Sequence, residues 1–160
     1  MPLALAEVLQ KSKTIIQIYL GYNRIKNEGT IALADTLKEN STFTDFGLEG
    51  NCFGNEGIKE FSKELEINDT ITDIYLSSNY FKSEVVEELL KALEVNKTIT
   101  NIDLSKNKIG IKGAIALARV LEKNKNIKYI NLEDNVIGAL GIEALTKVSR
   151  RKGIEIGLGS

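Results

Sequence analysis

The 160-residue sequence predicts an α/β solenoid, a right-handed crescent with a parallel sheet on its concave side and helices on its convex side. Three observations predict it. An asparagine recurs every 28 residues, at Asn23, Asn51, Asn79, Asn107 and Asn135. The apolar residues before each asparagine have the two-residue period of a strand, and those after it have the spacing of a helix. One such unit cannot bury its apolar side alone, so neighbouring units must stack into a shared core.

Each predicted strand follows the pattern apolar-x-x-apolar-x-Leu-x-x-Asn, as in Ile15, Ile18, Leu20 and Asn23. The apolar members point into the core because alternate side chains of a strand face opposite sides. The asparagine side chain is expected to turn inward and hydrogen-bond backbone groups of the adjacent loops, since buried polar backbone needs partners.

Each predicted helix places three apolar residues on the core side, Ile25, Leu33 and Leu37 in the first full repeat. A glycine near the helix start indicates a tight turn or a close approach of two backbones, at Gly29, Gly57, Gly113 and Gly141, with Val85 in the third repeat. An asparagine closes each helix, at Asn40, Asn68, Asn96 and Asn124, where we expect the left-handed conformation. The first three begin Asn-x-Ser/Thr tripeptides, which we interpret as helix-end turns instead of glycosylation sites.

The whole chain is predicted to be one domain. Residues 1–12 match the second half of a repeat, with Leu5 and Leu9 in core positions, and predict an N-terminal capping helix. Five repeats run from about 13 to 152, and residues 153–160 match only a strand. A terminal strand leaves an open sheet edge. Two alternatives account for it equally: the chain is a fragment of a longer array, or the edge pairs with a second copy as a homodimer.

Composition argues against catalysis. The sequence has no histidine and one cysteine, which removes the commonest general base, the Ser-His and Cys-His pairs, and most zinc sites. We therefore expect no enzyme activity, no metal and no cofactor. A net charge of -1 gives no reason to expect nucleic acid, and no apolar run is long enough for a membrane span. The lone Cys52 and the absence of a basic leader favour the cytoplasm.

The outward strand positions predict a binding surface. Six of the twenty positions are acidic and one is basic, so this face carries about -5 while the whole chain carries -1. Four of the five tyrosines also take outward positions, and tyrosine is enriched at binding anchors. The candidate partner-binding residues are Tyr19, Tyr22, Asp45, Glu49, Asp73, Tyr75, Asp103, Tyr129, Glu133 and Asp134. A basic protein or peptide is the expected partner, because nucleic acid requires Lys and Arg.

The strand pattern, the full helix and the 28-residue period resemble the ribonuclease-inhibitor-like class of leucine-rich repeats. This resemblance covers nearly the whole chain and implies the solenoid fold. Members of the class include inhibitors of secreted ribonucleases, immune-receptor sensor regions, activators of the small GTPase Ran, actin-capping proteins and effectors of intracellular bacteria. It therefore implies a protein-binding module, and it leaves open a piece of a receptor or of an effector acting in a host cell. Activation of a GTPase by Arg24 is a further alternative.

Overall fold

The structure, a computed structural model, describes residues 2–159, in which six helices alternate with six short strands. The elements are α1 (Pro2–Lys11), β1 (Gln17–Tyr19), α2 (Lys26–Glu39), β2 (Asp45–Gly47), α3 (Asn55–Ile67), β3 (Asp73–Tyr75), α4 (Ser83–Val95), β4 (Asn101–Asp103), α5 (Ile111–Lys123), β5 (Tyr129–Asn131), α6 (Gly138–Lys152) and β6 (Glu155–Gly157). The strands form one parallel sheet in chain order. The predicted α/β solenoid is therefore confirmed.

The 28-residue period fixes the register of the sheet. Ile18 pairs with Phe46, and Phe46 pairs with Ile74, each step being 28 residues. The last step is two residues shorter, because Ile130 pairs with Ile156. Residues that share a repeat position therefore lie in rows that cross the sheet, and these rows bring together side chains far apart in the sequence.

The core lies between the sheet and the helices. All five phenylalanines are buried in it, as their inward repeat positions predicted. Phe43, Phe46 and Phe61 form a continuous aromatic cluster, with ring centroids 5.9 and 5.7 Å apart. Tilted pairs at such distances add to the free energy gained by burial.

The asparagines after the strands form a ladder of hydrogen bonds. The Asn51 side chain accepts from the Asn23 amide at 2.9 Å and donates to the Leu20 carbonyl at 2.8 Å. Asn79 and Asn107 are buried and bond in the same manner. Asn23 differs from the expected inward position: it is exposed, because β1 is the first strand of the described sheet and no repeat covers its outer side.

A second ladder of asparagines follows the helices, where the expected left-handed conformation is wrong. Asn96 is extended, with φ -61° and ψ 140°, and Asn40, Asn68 and Asn124 are extended too. The side-chain amide of Asn96 donates to the Leu65 carbonyl at 2.7 Å, while its side-chain oxygen accepts from the backbone amides of Thr98 and Ile99. The side chain thus satisfies the backbone of two neighbouring repeats, and no left-handed residue is needed.

The repeated glycines lie inside the first helical turn and mark close packing instead of a tight turn. A Cβ at Gly113 would lie 2.9 Å from Ile109 Cγ2 and 3.2 Å from Ser83 Oγ. In the third repeat Val85 takes this position within α4 and is buried. One repeat position after the strands is left-handed in all five repeats, at Tyr22, Gly50, Ser78, Lys106 and Asp134, with φ between 53° and 61°, and only one of these five residues is glycine.

The first helix is only partly covered. Leu9 is buried, but Leu5 is 38% exposed although the repeat predicted a core position. The reason is that no described helix packs on the outer side of α1. The predicted segments 1–12 and 153–160 also include Met1 and Ser160, which lie outside the described residues. No helix of the described chain has the length and apolar character needed to cross a membrane.

Candidate functional site

The outward side chains of the six strands form the concave face, arranged in rows by the sheet register. The first row consists of Gln17, Asp45, Asp73, Asn101, Tyr129 and Glu155. The second consists of Tyr19, Gly47, Tyr75, Asp103, Asn131 and Gly157. Since adjacent strands lie about 4.8 Å apart, neighbours within a row are close enough for their side chains to interact.

Two tyrosines meet across a glycine in the second row. Tyr19 on β1 and Tyr75 on β3 are separated by a whole strand, yet their ring centroids are 5.8 Å apart at an angle of 49°. The residue between them is Gly47, and a Cβ there would come within 2.7 Å of Tyr19 Cδ1. The absence of a side chain lets the rings approach, and we call Tyr19, Gly47 and Tyr75 the tyrosine platform.

A similar contact lies at the edge of the platform. The ring of Tyr22 lies over Gly50, where a Cβ would clash with it. Both tyrosines of the first repeat therefore lean across the second repeat, which has glycine at both places, Gly47 at the end of β2 and Gly50 in the turn after it. Strand alternation predicted the outward direction of these rings, but their lean along the sheet depends on the glycines of the next repeat.

Carboxylates surround the platform. Asp45 accepts hydrogen bonds from the Tyr19 hydroxyl at 3.2 Å and the Thr44 hydroxyl at 2.6 Å. Asp73 pairs with Asp45 in the strand register and accepts from the Asn101 side-chain amide at 2.6 Å. Like charges in such a pair repel each other. Within residues 2–159 the ion pairs lie on the helices and none includes these carboxylates.

Burial, and after it the nearby carboxylates, raise the pKa of three outward tyrosines. Burial, the charge of Asp45 and the hydrogen bond to it raise the pKa of Tyr19 from 10.0 to about 12. Burial, then the charges of Asp73 and Asp45, raise the pKa of Tyr75. The pKa of Tyr129 is also raised, first by burial and then by nearby carboxylates. The three rings are therefore neutral at physiological pH in an electronegative surface.

The structure divides the ten predicted residues into two groups. One group lies on or beside β1 to β3: Tyr19, Tyr22, Asp45, Glu49, Asp73 and Tyr75. The other lies on or beside β4 and β5, namely Asp103, Tyr129, Glu133 and Asp134, and contains no tyrosine pair. Asp103 accepts a hydrogen bond from the Ser105 amide at 2.9 Å, and Glu133 and Asp134 are exposed.

Glu155 and Asn101 were not among the predicted binding residues. Glu155 on β6 lies beside Tyr129 in the first row; it was left out because outward positions were counted only in the five full repeats. Asn101 was recognised as an outward residue, but its hydrogen bond to Asp73 was not predicted. A carboxylate beside an amide in the same row is the sequence pattern that indicates such a bond.

The other chemically notable residues lie away from the platform. Arg24 is in the turn after β1, exposed and with φ 54°. Cys52 is an exposed free thiol. Lys108 Nζ lies 5.3 Å from the Tyr80 ring centroid, a cation–π contact at the rim of the solenoid. Among residues 2–159, no group of three or more acidic, cysteine or histidine side chains is arranged to hold a metal ion.

Comparison with known proteins supports the repeat assignment. A leucine-rich-repeat family model matches residues 95–118 and 123–145. The structure of leiomodin-1 actin-binding site 2 is similar, with a TM-score of 0.68 and 18% identity over 99% of this chain and 78% of that one. The Caenorhabditis elegans tropomodulin C-terminal domain is also similar, with a TM-score of 0.64 and 10% identity over 99% and 83%. No curated protein sequence matches. At these identities the likeness concerns the fold.

Proposed function

We propose that this α/β solenoid, part of which matches a leucine-rich-repeat family model, is a non-catalytic protein-interaction module whose concave face binds a basic protein or peptide. The observation that carries this proposal is the tyrosine platform with Asp45, Asp73 and Glu49 around it. Rigid strands hold these groups in place, so little conformational entropy is lost on docking. The free thiol of Cys52 is in keeping with a reducing, cytoplasmic setting.

The two kinds of side chain have different roles in this proposal. The rings of Tyr19, Tyr75 and Tyr129 supply apolar contact area and a hydroxyl. The carboxylates attract a basic partner, speed its encounter and disfavour acidic partners. A similar fold in leiomodin-1 forms an actin-binding site, which supports a protein as the partner.

A charge-reversal experiment tests the binding face. Glu49→Lys combined with Glu133→Lys reverses two carboxylates at the same repeat position, and neither side chain makes a hydrogen bond within the described residues. The matched control is Glu87→Lys with Glu143→Lys, which makes the same charge change on exposed positions of α4 and α6. Circular dichroism checks whether all three proteins fold alike.

Affinity capture from source-cell lysate then compares the three proteins by quantitative mass spectrometry. We expect a basic protein that the wild type and the helix control retain and that the concave variant loses. Equal capture by both variants would reject the concave face. If only the helix control failed to capture the protein, the binding site would lie on the convex side.

Self-association through the last strand is a second candidate function. The outer edge of β6 has no partner strand within residues 2–159. Ile142 on α6 is 43% exposed, whereas its repeat counterparts Ile58, Val86 and Ala114 are buried. Sedimentation velocity over a range of concentrations tests this candidate. Association that disappears when residues 153–160 are deleted would support it, and a monomer at every concentration would reject it.

A further inference from the structure

The two halves of the concave face differ in ways that matter for recognition. On β1 to β3, Tyr19 and Tyr75 are in contact over Gly47, with ring centroids 5.8 Å apart and ring planes tilted by 49°. On β5, Tyr129 has Asn101 and Glu155 as row neighbours and no ring beside it. Both halves are acidic, so charge alone does not distinguish them. The tyrosine platform is the feature that only the first half possesses.

The negative charge around the platform is concentrated, and no ion pair among residues 2–159 includes it. Asp45 and Asp73 are direct neighbours in the parallel pairing of β2 and β3. The Glu49 carboxylate extends to the same place, since its Oε2 atom would lie 2.9 Å from a Cβ at Gly47. A cation placed here would relieve the repulsion among these carboxylates while contacting the aromatic rings.

The available hydrogen-bond acceptors favour one type of cation. Asp45 and Asp73 already accept bonds from neighbouring side chains. The Glu49 carboxylate, in contrast, has no hydrogen bond within the described residues and is free to accept two. A guanidinium group is planar, stacks on aromatic rings and donates two parallel bonds to a carboxylate. An ammonium group is more strongly hydrated and has no planar face.

From this arrangement we infer that the tyrosine platform is a subsite for an arginine side chain of the partner, stacked against Tyr19 and Tyr75 and paired with Glu49. The inference rests on the proposed function and adds to it the part of the face and the side chain that are recognised. Arginine in a basic partner then contributes more to binding at this place than lysine.

Nuclear magnetic resonance titration tests the subsite directly. The probe is the blocked peptide acetyl-Gly-Gly-Arg-Gly-Gly-amide, added to the ¹⁵N-labelled full chain at low ionic strength. Peptides with lysine or with uncharged citrulline in place of arginine are the comparison probes. We expect saturable shifts centred on the amides of Tyr19, Gly47 and Tyr75 with the arginine peptide, weaker binding of the lysine peptide, and no saturable shift with citrulline.

Variants separate the platform from the rest of the acidic face. Tyr75→Leu removes one ring of the pair, and Tyr129→Leu removes a tyrosine of the other half as the matched control. An exposed cation–π contact corresponds to roughly a two- to fivefold change in affinity, so Tyr75→Leu should weaken the arginine peptide by about that factor and Tyr129→Leu should not. Glu49→Gln keeps both rings and should also weaken binding. If Tyr75→Leu folds poorly, Glu49→Gln alone still tests the arginine subsite.

Several outcomes would overturn the subsite. These are shifts centred on β4 to β6, equal binding of the citrulline peptide, unchanged affinity in both Tyr75→Leu and Glu49→Gln, or no saturable shift up to millimolar peptide. None of these is the capture result that tests the proposed function. If Tyr75→Leu and Glu49→Gln still capture the basic protein normally while the concave charge reversal does not, the binding face stands and the arginine subsite falls.

Discussion

Replacing Asn79 with alanine should destabilise the solenoid far more than the same change at Asn23. The Asn79 side chain is buried. It accepts hydrogen bonds from the amides of Asn51 at 2.8 Å and Cys52 at 3.0 Å, and donates to the Leu48 carbonyl at 2.9 Å. It also donates to two further carbonyls, which have other donors. Three backbone groups therefore lose their partner in Asn79→Ala.

The expected magnitude follows from these three groups. An unsatisfied buried polar group costs about 1–3 kcal/mol, and since Cys52 is exposed we take the lower end of that range for each. The free energy of unfolding should fall by about 3 kcal/mol, a large part of the roughly 5–15 kcal/mol typical of a domain. Asn23 is exposed and donates only to the Leu20 and Gly21 carbonyls, so Asn23→Ala should cost less than about 1 kcal/mol.

Urea unfolding followed by circular dichroism at 222 nm measures both variants. With a slope of about 1–3 kcal/mol/M, the midpoint of Asn79→Ala should fall by at least about 1 M. A lower slope would mean that the repeats on either side of Asn79 no longer unfold together. Equal midpoints for the two variants, or a loss below about 1 kcal/mol in Asn79→Ala, would refute the reasoning that this ladder satisfies buried backbone.

Three further predictions concern single positions. Ser78 has φ 59°, and Gly50 at the same repeat position has φ 61°, so Ser78→Gly should raise the free energy of unfolding by about 0.5–1 kcal/mol; a lower urea midpoint would contradict this. Glu64 Oε2 is buried without a hydrogen-bond partner among residues 2–159, so Glu64→Ala should stabilise by about 1 kcal/mol, and a fall in Tm would contradict that. Tyr19, with a pKa of about 12, favours folding below pH 10, and this contribution is lost as the pH rises from 10 towards 12. Asp45→Asn should lower that pKa, which absorbance titration at 295 nm detects; an unchanged tyrosinate titration would show that Asp45 has no influence.

The fold could be predicted from the sequence because the repeat spacing itself shows which distant residues pair. Once the spacing of Asn51 and Asn79 is recognised, each strand is known to pair with the strand 28 residues away. The register, the order of the sheet and the buried phenylalanines follow from that one number. The last step is two residues shorter, and its pairing of Ile130 with Ile156 was predicted by matching the terminal strand to the repeat pattern.

Local detail was harder to predict where one residue type has two ways to satisfy the backbone. Asn96 was expected to adopt a left-handed conformation at the helix end, but it stays extended and uses its side chain to bond two repeats. The choice depends on carbonyls of the preceding repeat, which become neighbours only after the units stack. The sequence shows the asparagine but not the position of those carbonyls.

The candidate site, like the fold, could be predicted only in part. Alternation along the strands predicted that Tyr19 and Tyr75 face outward. It could not predict that their rings meet, because a strand pattern gives the face of a side chain and not its direction along the sheet. The contact depends on the Tyr19 rotamer and on the absence of a side chain at Gly47. Glycine between two outward tyrosines in one row is the pattern that would identify such a contact.

The outward tyrosines of β1, β3 and β5 also set a distance scale for whatever lies across the sheet. With strands about 4.8 Å apart, successive tyrosine-bearing strands are roughly 10 Å apart. An extended polypeptide crossing the strands advances about 3.3 Å per residue. Every third residue of such a segment would come into line with a tyrosine-bearing strand. The spacing of the tyrosine-bearing strands therefore matches the length of three residues of an extended chain.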